Sequence, residues 1–401
     1  GVISDYREKQ SFTDDPLSEF ASAGMYYFSS GRLMLDACEA AKEQGLSTNG
    51  EYYVSLTFKP LLDAGRNIIV YEVPHFMQWG TPEDLANYQK WSELFGSLTR
   101  PIHSPRQSGT LLIPAAGLGS RFVAEGYATP KPLIRVSGKP MLLQSLRDLP
   151  VAEKTRVVLR GDQTQYGAVV SALKDHDPNI DIVTLDNVTE GQAQTCLNAL
   201  DGIVFSKPLT IGACDNGVIY DVEEFQSLMD DEAIDVIVWG VRGHPEASKQ
   251  PKMFGWIDCK DDGQIRHVSV KHPLSNPNRD PIVLGTFTFK RARDFLTSAN
   301  HMIEREGRVN GEFYVDECIN DAVALGLNCH LLEVNHYLGW GTPNDLKTFT
   351  YWQSCFHKWK AHPYRLQLDD HVHPDDLIAL NKRYAWQPPA RPRGEGYLRN
   401  G

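Results

Sequence analysis

The stretch LLIPAAGLGSRF, residues 111–122, decides the fold. It begins in a short apolar run, residues 110–113, which is typical of a buried strand, and it continues into a loop of small residues. Gly117 and Gly119 permit backbone conformations and a closeness of approach that side chains would forbid, so the loop amides can converge on a phosphate. Arg121 adds a planar set of donors for the same anion. The stretch predicts a strand that ends at a phosphate-binding loop, with a plain strand-to-helix turn as the alternative.

Two common phosphate-binding loops do not fit this stretch. A dinucleotide fingerprint needs a third glycine where Phe122 stands, and a P-loop needs a Gly-Lys-Ser/Thr ending that is missing here. A second basic residue, Lys131, follows in TPKPLIRVSGKPM between Pro130 and Pro132. A stiff segment that presents an ammonium group beside such a loop suits the neutralisation of phosphates, although a solvated loop lysine is the ordinary alternative.

Further apolar runs follow the first one at residues 156–159, 182–185 and 208–211, each before a helix-like stretch. Alternating strand and helix signals predict an α/β fold with a Rossmann-like, mostly parallel mixed sheet flanked by helices.

The loop of residues 115–122, together with Pro130-Lys131-Pro132-Leu133, resembles the signature of the sugar-phosphate nucleotidyltransferase family. The similarity extends over residues 109–356. The resemblance implies the fold of nucleotide-diphospho-sugar transferases, Mg2+ as the cofactor, and a nucleoside triphosphate and a sugar phosphate as partners. It implies catalytic roles for Arg121, Lys131 and Asp215, and it places the nucleotide on the loop residues Ala115, Ala116, Gly117, Leu118, Gly119 and Ser120.

The same resemblance assigns binding roles further along the chain. Gly191 and Gln192 would lie against the nucleobase and ribose, Asn216 would contact substrate, and Gly255 and Lys271 would frame the sugar phosphate. The alternatives are structural: Thr189 would cap a helix that contains Glu190, and Lys271 would be an exposed strand end.

The predicted site also contains two metal ligands, the carboxylates of Asp215 and Asp316. Asp215 follows an apolar run, at the sheet edge where α/β proteins bind ligands, and carboxylates with waters and phosphate oxygens suit Mg2+. The alternatives are a simple turn at Asp215-Asn216-Gly217 and a first helical turn at Asp316.

An internal repeat organises the chain, because residues 24–95 align without a gap on residues 285–356 at an offset of 261. Trp79-Gly80-Thr81-Pro82 matches Trp340-Gly341-Thr342-Pro343, which predicts in each case a helix capped by Thr with Pro in its first turn. Ser55 stands at the position of Asp316. The repeat predicts the C-terminal half of a first copy at residues 1–96, a linker at 97–108, a complete domain at 109–360 and a polar, Pro-rich tail at 361–401. A natural chain with a shortened copy and a fragment of a longer protein both remain open.

Composition limits the function classes. Forty Lys and Arg against 51 Asp and Glu give a net charge of −11, which argues against nucleic acid as a partner. The seven scattered cysteines have no metal-ligand spacing, which predicts reduced thiols in a cytoplasmic protein, and no apolar run is long enough to span a membrane. Whether the protein forms a homo-oligomer is left open.

Four histidines of the C-terminal region match no zinc-ligand spacing, and we expect them to be solvated: His357, His362, His371 and His373.

The sequence therefore predicts an enzyme that joins a nucleoside triphosphate to a sugar 1-phosphate by in-line displacement and releases pyrophosphate, making an NDP-sugar for polysaccharide or glycoconjugate synthesis. Three alternatives remain: a related enzyme acting on a non-sugar phosphate such as phosphocholine, a glycosyltransferase, and a catalytically degenerate regulatory or scaffold protein.

Overall fold

The computed structural model describes residues 1–14, 19–101 and 104–385, and the chain divides into two compact units. Of the described residues, the smaller unit contains those of 1–79 and 382–385, and the larger contains those of 80–381. The helices are α1 (Gly31–Glu43), α2 (Phe58–Asp63), α3 (Pro82–Ser97), α4 (Ser120–Ala124), α5 (Met141–Arg147), α6 (Tyr166–His176), α7 (Gln192–Leu197), α8 (Val222–Asp230), α9 (Pro245–Lys249), α10 (Ala292–Glu304), α11 (Val315–Ala324), α12 (Pro343–Lys358) and α13 (Leu377–Tyr384). The strands are β1 (Arg106–Pro114), β2 (Arg135–Val136), β3 (Lys139–Pro140), β4 (Val151–Arg160), β5 (Asp181–Leu185), β6 (Leu209–Ile211), β7 (Asn216–Ile219), β8 (Val236–Val241), β9 (Gly255–Cys259), β10 (Ile265–Val270), β11 (Ile282–Phe289), β12 (Cys329–Glu333) and β13 (His336–Gly339).

A nine-stranded sheet forms the centre of the larger unit, with neighbouring strands in the order β10-β9-β11-β6-β1-β4-β5; β8 also pairs with β11, and β12 pairs with β8. The strand pairs β1–β4, β1–β6, β4–β5 and β8–β12 are parallel, whereas β11 runs antiparallel to β6, β8 and β9. The four apolar runs of the sequence lie in β1, β4, β5 and β6. The predicted α/β class with a largely parallel mixed sheet is confirmed.

The core lies on both faces of this sheet, because successive strand residues point to opposite sides. Leu112 and Val158 pack with α7, α10 and α11 on one face, whereas Leu111, Ile113 and Val157 pack with α5, α6 and α8 on the other. Burial on two faces explains why β1 and β4 contain continuous apolar runs instead of alternating polar and apolar residues. The sheet thus holds the carboxyl ends of β1 and β6 rigidly side by side.

The smaller unit has its own apolar cluster, in which Ala37, Phe58 and Leu61 are buried and several aromatic residues pack around them. Phe58 makes an edge-to-face contact with Tyr26, their ring centroids 5.4 Å apart. Ser55 is buried and its hydroxyl donates to the Glu8 carboxylate. The position that corresponds to Asp316 therefore lies inside a local polar contact.

Helix bounds coincide at the offset of 261 residues. Helices α1 and α3 begin and end 261 positions before α10 and α12, and residues 54–63, which include α2, correspond in the same way to α11. Gly24 and Gly285 have backbone φ angles of 74° and 72°. The hydroxyls of Thr81 and Thr342 accept the backbone amides of Asp84 and Asp345, both at 3.1 Å, so both predicted helix caps are present.

Helix α3 belongs to the larger unit, so the structural boundary falls at residue 79 and not in the expected linker at 97–108. Trp91 stacks on Trp352 of α12 with ring centroids 6.2 Å apart, and Phe95 packs against Phe356 at 5.5 Å. Strand β1 already begins at Arg106, which is paired in register with Val151. The physical reason is that α3 has an aromatic face that α12 buries.

The C-terminal region differs from the expected extended tail up to residue 385. Tyr364 and Leu366 are buried, and so are His362 and His371, which were expected to be solvated. The reason is that these histidines have polar partners inside the protein, Ser92 for His362 and two aspartates for His371. His373 is exposed as expected. The Pro-rich stretch QPPARPRGEG, residues 387–396, lies outside the described residues.

No helix within the described ranges is both long and apolar enough to cross a membrane.

The charge on His371 makes the stability of the larger unit depend on pH. Burial alone would lower the pKa of His371, but the carboxylates of Asp148 and Asp369 outweigh it and raise this pKa to about 10. The free energy of unfolding should therefore fall by up to about 1.4 kcal/mol per pH unit between roughly pH 6.5 and 10. Urea unfolding at several pH values, compared with the variant His371→Gln, measures this loss. A difference between the two proteins that stays constant over the range would contradict a protonated His371.

The packing of α3 on α12 predicts a large effect of one substitution. Phe95 is fully buried, and its ring lies 4.8 Å from that of Tyr364 and 5.4 Å from that of Phe349. Phe95→Ala should lower the free energy of unfolding by about 3–5 kcal/mol through lost contacts and a cavity. Leu85→Ala on the exposed side of the same helix should cost below about 1 kcal/mol. Equal losses in urea unfolding would contradict this packing.

Candidate active site

The loop after β1 is held from below by the end of β4. The backbone amide of Ala115 donates to the carbonyl of Val158 at 2.9 Å, and the Arg160 guanidinium donates to the carbonyl of Ala116 at 3.2 Å. Both alanines are buried. The amide of Ala115 is thus used within the protein, and a contact of Ala115 or Ala116 with a nucleotide stays a prediction. Among the described residues, no acceptor receives the amides of Gly117, Leu118 and Gly119, which leaves them available to an anion.

The two loop glycines differ in the reason for their presence. Gly119 adopts the left-handed conformation with φ of 62° directly before α4, which begins at Ser120. A Cβ atom at Gly119 would also lie 3.1 Å from Cβ of Lys131. Gly117 has open space where a side chain would stand. Gly119 is therefore required by the backbone and by Lys131, whereas Gly117 keeps the mouth of the loop open.

Lys131 forms an ion pair with Asp215 under this loop. Pro130 precedes the short helical turn Lys131–Leu133, as the sequence indicated. Burial lowers the pKa of Lys131, but Asp215 outweighs that effect, so the pKa is raised overall and the ammonium group stays charged. This ion pair connects the segment beside the Gly-rich loop to Asp215, which is a predicted metal ligand.

Asp215 lies between β6 and β7, beyond the carboxyl end of β6. Its carbonyl accepts the amide of Trp340 at 3.0 Å, and a Cβ atom at Gly341 would lie 2.9 Å from its carboxylate. The repeated WGTP segment therefore packs directly on Asp215. Asn216 is buried and donates its side-chain amide to the carbonyl of Leu284 at 2.8 Å, so it anchors this segment; a contact with substrate stays a prediction.

A second lysine and carboxylate lie together at β9, β10 and α11. Lys271 follows β10 with a backbone φ of 63°, and its ammonium group donates to the carbonyl of Met253 at 2.5 Å. Asp316 is in the first turn of α11, and its carboxylate packs so closely on Gly255 that a side chain there would collide with it. Burial raises the pKa of Asp316 to about 6, partly opposed by Lys271, and burial lowers the pKa of Lys271, partly opposed by Asp316.

The charge of Arg121 acts on both charged clusters of the site, the first formed by Lys131 and Asp215 and the second by Lys271 and Asp316. Its positive charge opposes the rise in the pKa of Lys131 and adds to the fall in the pKa of Lys271 that burial causes, so it lies within electrostatic range of each. It is exposed, and it is the second residue of α4, after the loop. Three cations and two carboxylates thus converge beside the free amides of the loop. Such an arrangement can hold a polyphosphate and stabilise charge that develops on it.

The predicted nucleobase segment is tied to the second cluster through the backbone. Gly191 has a φ of 134°, and a side chain there would approach the backbone of Phe313 to 2.5 Å. The amide of Ala193 donates to the carbonyl of Phe313 at 3.0 Å. Helix α7 begins at Gln192, and its N-cap residue is Gly191, which has no side chain to cap the helix. The alternative in which Thr189 caps this helix is therefore wrong. Close backbone packing explains Gly191; contacts of Gly191 and Gln192 with a nucleotide stay predictions.

An aromatic group near Asp215 was missed by the sequence analysis. Tyr337 lies within range of the Asp215 charge, which together with burial raises the pKa of Tyr337. The His244 ring lies 5.1 Å from that of Tyr337 and 5.9 Å from that of Phe254. Phe254 precedes Gly255, so these rings run from the first cluster toward the second. Because Tyr337 lies far along the chain from His244 and Phe254, the sequence alone did not indicate that their rings are in contact.

The oxygen chemistry of the two predicted metal ligands suits a magnesium ion, and a metal held by Asp215 and Asp316 stays a prediction. Asp316 is a carboxylate that burial makes costly to ionise, and it makes no hydrogen bond with another residue's side chain in the described part of the chain. Such an oxygen donor is suited to a hard cation, and Asp215 supplies a second one. The described residues contain no group of three or more His, Cys, Asp or Glu that could hold a metal ion. Phosphate oxygens and waters would therefore complete the coordination of Mg2+.

No protein-family model and no curated protein matches the chain. Among solved structures, a nucleoside-diphosphate-sugar pyrophosphorylase from Vibrio cholerae RC9 is 19% identical with a TM-score of 0.49, and the match covers 60% of this chain and 98% of that one. The inositol-1-phosphate CTP transferase from T. maritima is 14% identical with a TM-score of 0.48, covering 62% and 96%. A UDP-glucose pyrophosphorylase complexed with UDP-glucose is 15% identical with a TM-score of 0.46, covering 63% and 99%. Because these identities and scores are low, the residues of the site carry the functional proposal.

The loop geometry predicts different effects for its two glycines. Gly119→Ala should lower the free energy of unfolding by about 1–2 kcal/mol, because a residue with a Cβ atom is strained in the left-handed conformation. Gly117→Ala is the matched control and should change stability by less than about 0.5 kcal/mol, because the space around it is open. Urea unfolding of both variants measures the contrast. A Gly119→Ala variant as stable as the wild-type protein would contradict the assigned backbone conformation.

Proposed function

We propose that the chain is a nucleotidyltransferase that joins a nucleoside triphosphate to a sugar 1-phosphate and releases pyrophosphate. The observation that carries the proposal is the convergence of Lys131 with Asp215 and of Lys271 with Asp316 around the charge of Arg121, beside a loop with free backbone amides. Cations in this number suit two phosphorylated substrates at once. The product would be an NDP-sugar used in the cytoplasm for polysaccharide or glycoconjugate synthesis.

In this proposal the protein acts by positioning and by charge neutralisation. The amides of Gly117 to Gly119 and the Arg121 guanidinium hold the β- and γ-phosphates of the triphosphate. Lys131 and Lys271 neutralise charge near the α-phosphorus and on the acceptor phosphate. An oxygen of the acceptor attacks the α-phosphorus in line, the bond to the bridging oxygen breaks, and pyrophosphate leaves with that oxygen. No covalent bond to the protein is needed.

Asp215 and Asp316 would hold Mg2+ in this proposal. The ion would supply Lewis-acid stabilisation of negative charge on phosphate oxygens. When it binds, Asp215 would share its charge between the metal and Lys131. The low coordination demand of Mg2+ on protein ligands is consistent with only two carboxylates.

The other classes of function explain the site less completely. A glycosyltransferase of similar fold would place two acidic residues in a DxD segment, and Asp215-Asn216-Gly217 contains one. A scaffold protein would have no need for Lys131 and Lys271 to be partly buried among opposite charges, because burial of charge is costly. A non-sugar phosphate such as phosphocholine remains as an alternative acceptor, since the cations recognise the phosphate and not the group that bears it.

We also infer that residues 1–96 correspond to the C-terminal half of a copy of the domain at 109–360. The coincident bounds of α1 with α10 and of α3 with α12 support this. Tyr27 is 89% exposed, whereas the corresponding Thr288 in β11 is fully buried between strands. The smaller unit thus exposes positions that the sheet covers in the second copy. An experimental structure in which α1 and α2 fail to superimpose on α10 and α11 would contradict this inference.

Removal of one charge tests the assigned site. Asp215→Asn should lower the turnover number by about 100-fold or more while the protein stays folded, because the group acts on charge that develops in the reaction. Asp186→Asn, which changes an exposed carboxylate elsewhere in the chain, is the control and should retain full turnover. Undiminished turnover of Asp215→Asn would contradict the role of this residue.

The activity itself is tested by pyrophosphate release from the wild-type chain with Mg2+, each common nucleoside triphosphate, and a panel of sugar 1-phosphates with phosphocholine included. Release with one triphosphate and one sugar 1-phosphate supports the proposal. Release with phosphocholine alone would replace the acceptor. The absence of release under every pairing would favour the scaffold alternative.

A further inference from the structure

A buried carboxylate joins the C-terminal region to the segment that bears Asp215. Asp148 caps the end of α5 and is 1% exposed. One of its oxygens, Oδ2, accepts the backbone amide of Val218 at 3.1 Å, and the other, Oδ1, lies 2.8 Å from Nε2 of His371. The side chains of Asp148 and His371 are both almost completely buried.

The contact with Val218 reaches close to the reacting groups. Val218 is the third residue of β7, which begins at Asn216 directly after Asp215. A side chain at Gly217 would collide with the Asp148 carboxylate, so the two pack without a gap. Strands β7 and β13 form a two-stranded sheet separate from the central one. The segment after Asp215 is therefore held by Asp148 as well as by the central sheet, to which Asn216 is bonded through Leu284.

His371 is fixed in turn by its own partners. Its Nδ1 lies 3.0 Å from Oδ1 of Asp369, and its backbone carbonyl accepts the side-chain amide of Gln144 at 2.7 Å. The hydroxyl of Tyr364 donates to Oδ2 of Asp369 at 2.6 Å. The imidazole is thus held between two carboxylates, and its orientation is not adjustable.

The carboxylate of Asp148 lies in the interior against the imidazole of His371. Without this imidazole, Oδ1 of Asp148 would lose a hydrogen-bond partner inside the protein, which is costly, so the carboxylate would move. Such a movement weakens the hydrogen bond that the Val218 amide donates to Oδ2, because a hydrogen bond depends steeply on distance and angle. The effect would pass along β7 to Asp215.

We propose that His371 is a positioning residue that acts through Asp148 to hold the backbone of residues 215–218, and with it the carboxylate of Asp215, in the reactive arrangement. The kinetic consequence of this role rests on the proposed function, whereas the structural coupling does not. His371 itself contacts neither substrate nor metal. The segment of residues 364–371 then supports the position of Asp215.

The test uses the full chain with His371→Gln and, as the matched control, His373→Gln, which changes an exposed histidine two residues away. Hydrogen exchange followed by mass spectrometry should show about tenfold faster exchange in the peptide that covers residues 214–220 for His371→Gln, with β12 unchanged. The control should match the wild-type protein. In pyrophosphate release, His371→Gln should lower kcat by about tenfold and leave both KM values within about twofold.

Unchanged exchange at residues 214–220, or faster exchange spread evenly over the larger unit, would overturn the proposal in favour of a purely structural role. If His371→Gln does not fold, Tyr364→Phe decides, since it removes the hydroxyl that donates to Asp369 and accepts from Gln353, and Gln353 keeps a second acceptor in Ser137. It should accelerate exchange at 214–220 to a smaller extent, and no change there would overturn the proposal. If the wild-type chain releases no pyrophosphate, the proposed function fails while the exchange result still decides the coupling.

Discussion

The ion pair between Lys131 and Asp215 is the interaction on which the candidate site depends. Lys131 lies against Gly119 in the Gly-rich loop, and Asp215 lies beyond the end of β6, so the pair joins two segments that are 84 residues apart. Burial alone would lower the pKa of Lys131, and the Asp215 carboxylate outweighs that effect. Displacement of Asp215 would therefore leave Lys131 as a buried charge without its partner.

The fold holds this pair from two sides. Strands β1, β4 and β6 run parallel, and their carboxyl ends place the Gly-rich loop beside Asp215. On the other side, β7 and β13 form their own small sheet, and Trp340, Asn216 and Asp148 fix it. The second cluster, Lys271 and Asp316, is tied to the predicted nucleobase segment by backbone hydrogen bonds of Phe313. The site is thus assembled from segments that separate elements hold in place.

Much of the architecture was predictable because its signals are local. Continuous apolar runs followed by small-residue loops indicate buried parallel strands, and Thr-Pro after Trp-Gly indicates a capped helix, so β1, β4 and α12 could be read directly. The sequence did not predict the positions of three other residues, Asp148, Tyr337 and His371. An Asp after a helix and a His among other polar residues do not indicate by themselves that the side chain is buried. Their roles come from contacts across about 70 to 220 residues. The same reason explains the error at the C-terminal region, whose polar composition hid buried partners.

The proposed nucleotidyl transfer is tested most directly by following the α- and γ-phosphorus atoms of the triphosphate separately. The chain is incubated with Mg2+, a sugar 1-phosphate and a nucleoside triphosphate labelled either at the α- or at the γ-phosphorus, and the products are separated. A nucleotidyltransferase must place the α label in the product that contains the acceptor and release the γ label as pyrophosphate. A γ label found on the acceptor, or an α label that never joins it, would contradict the account.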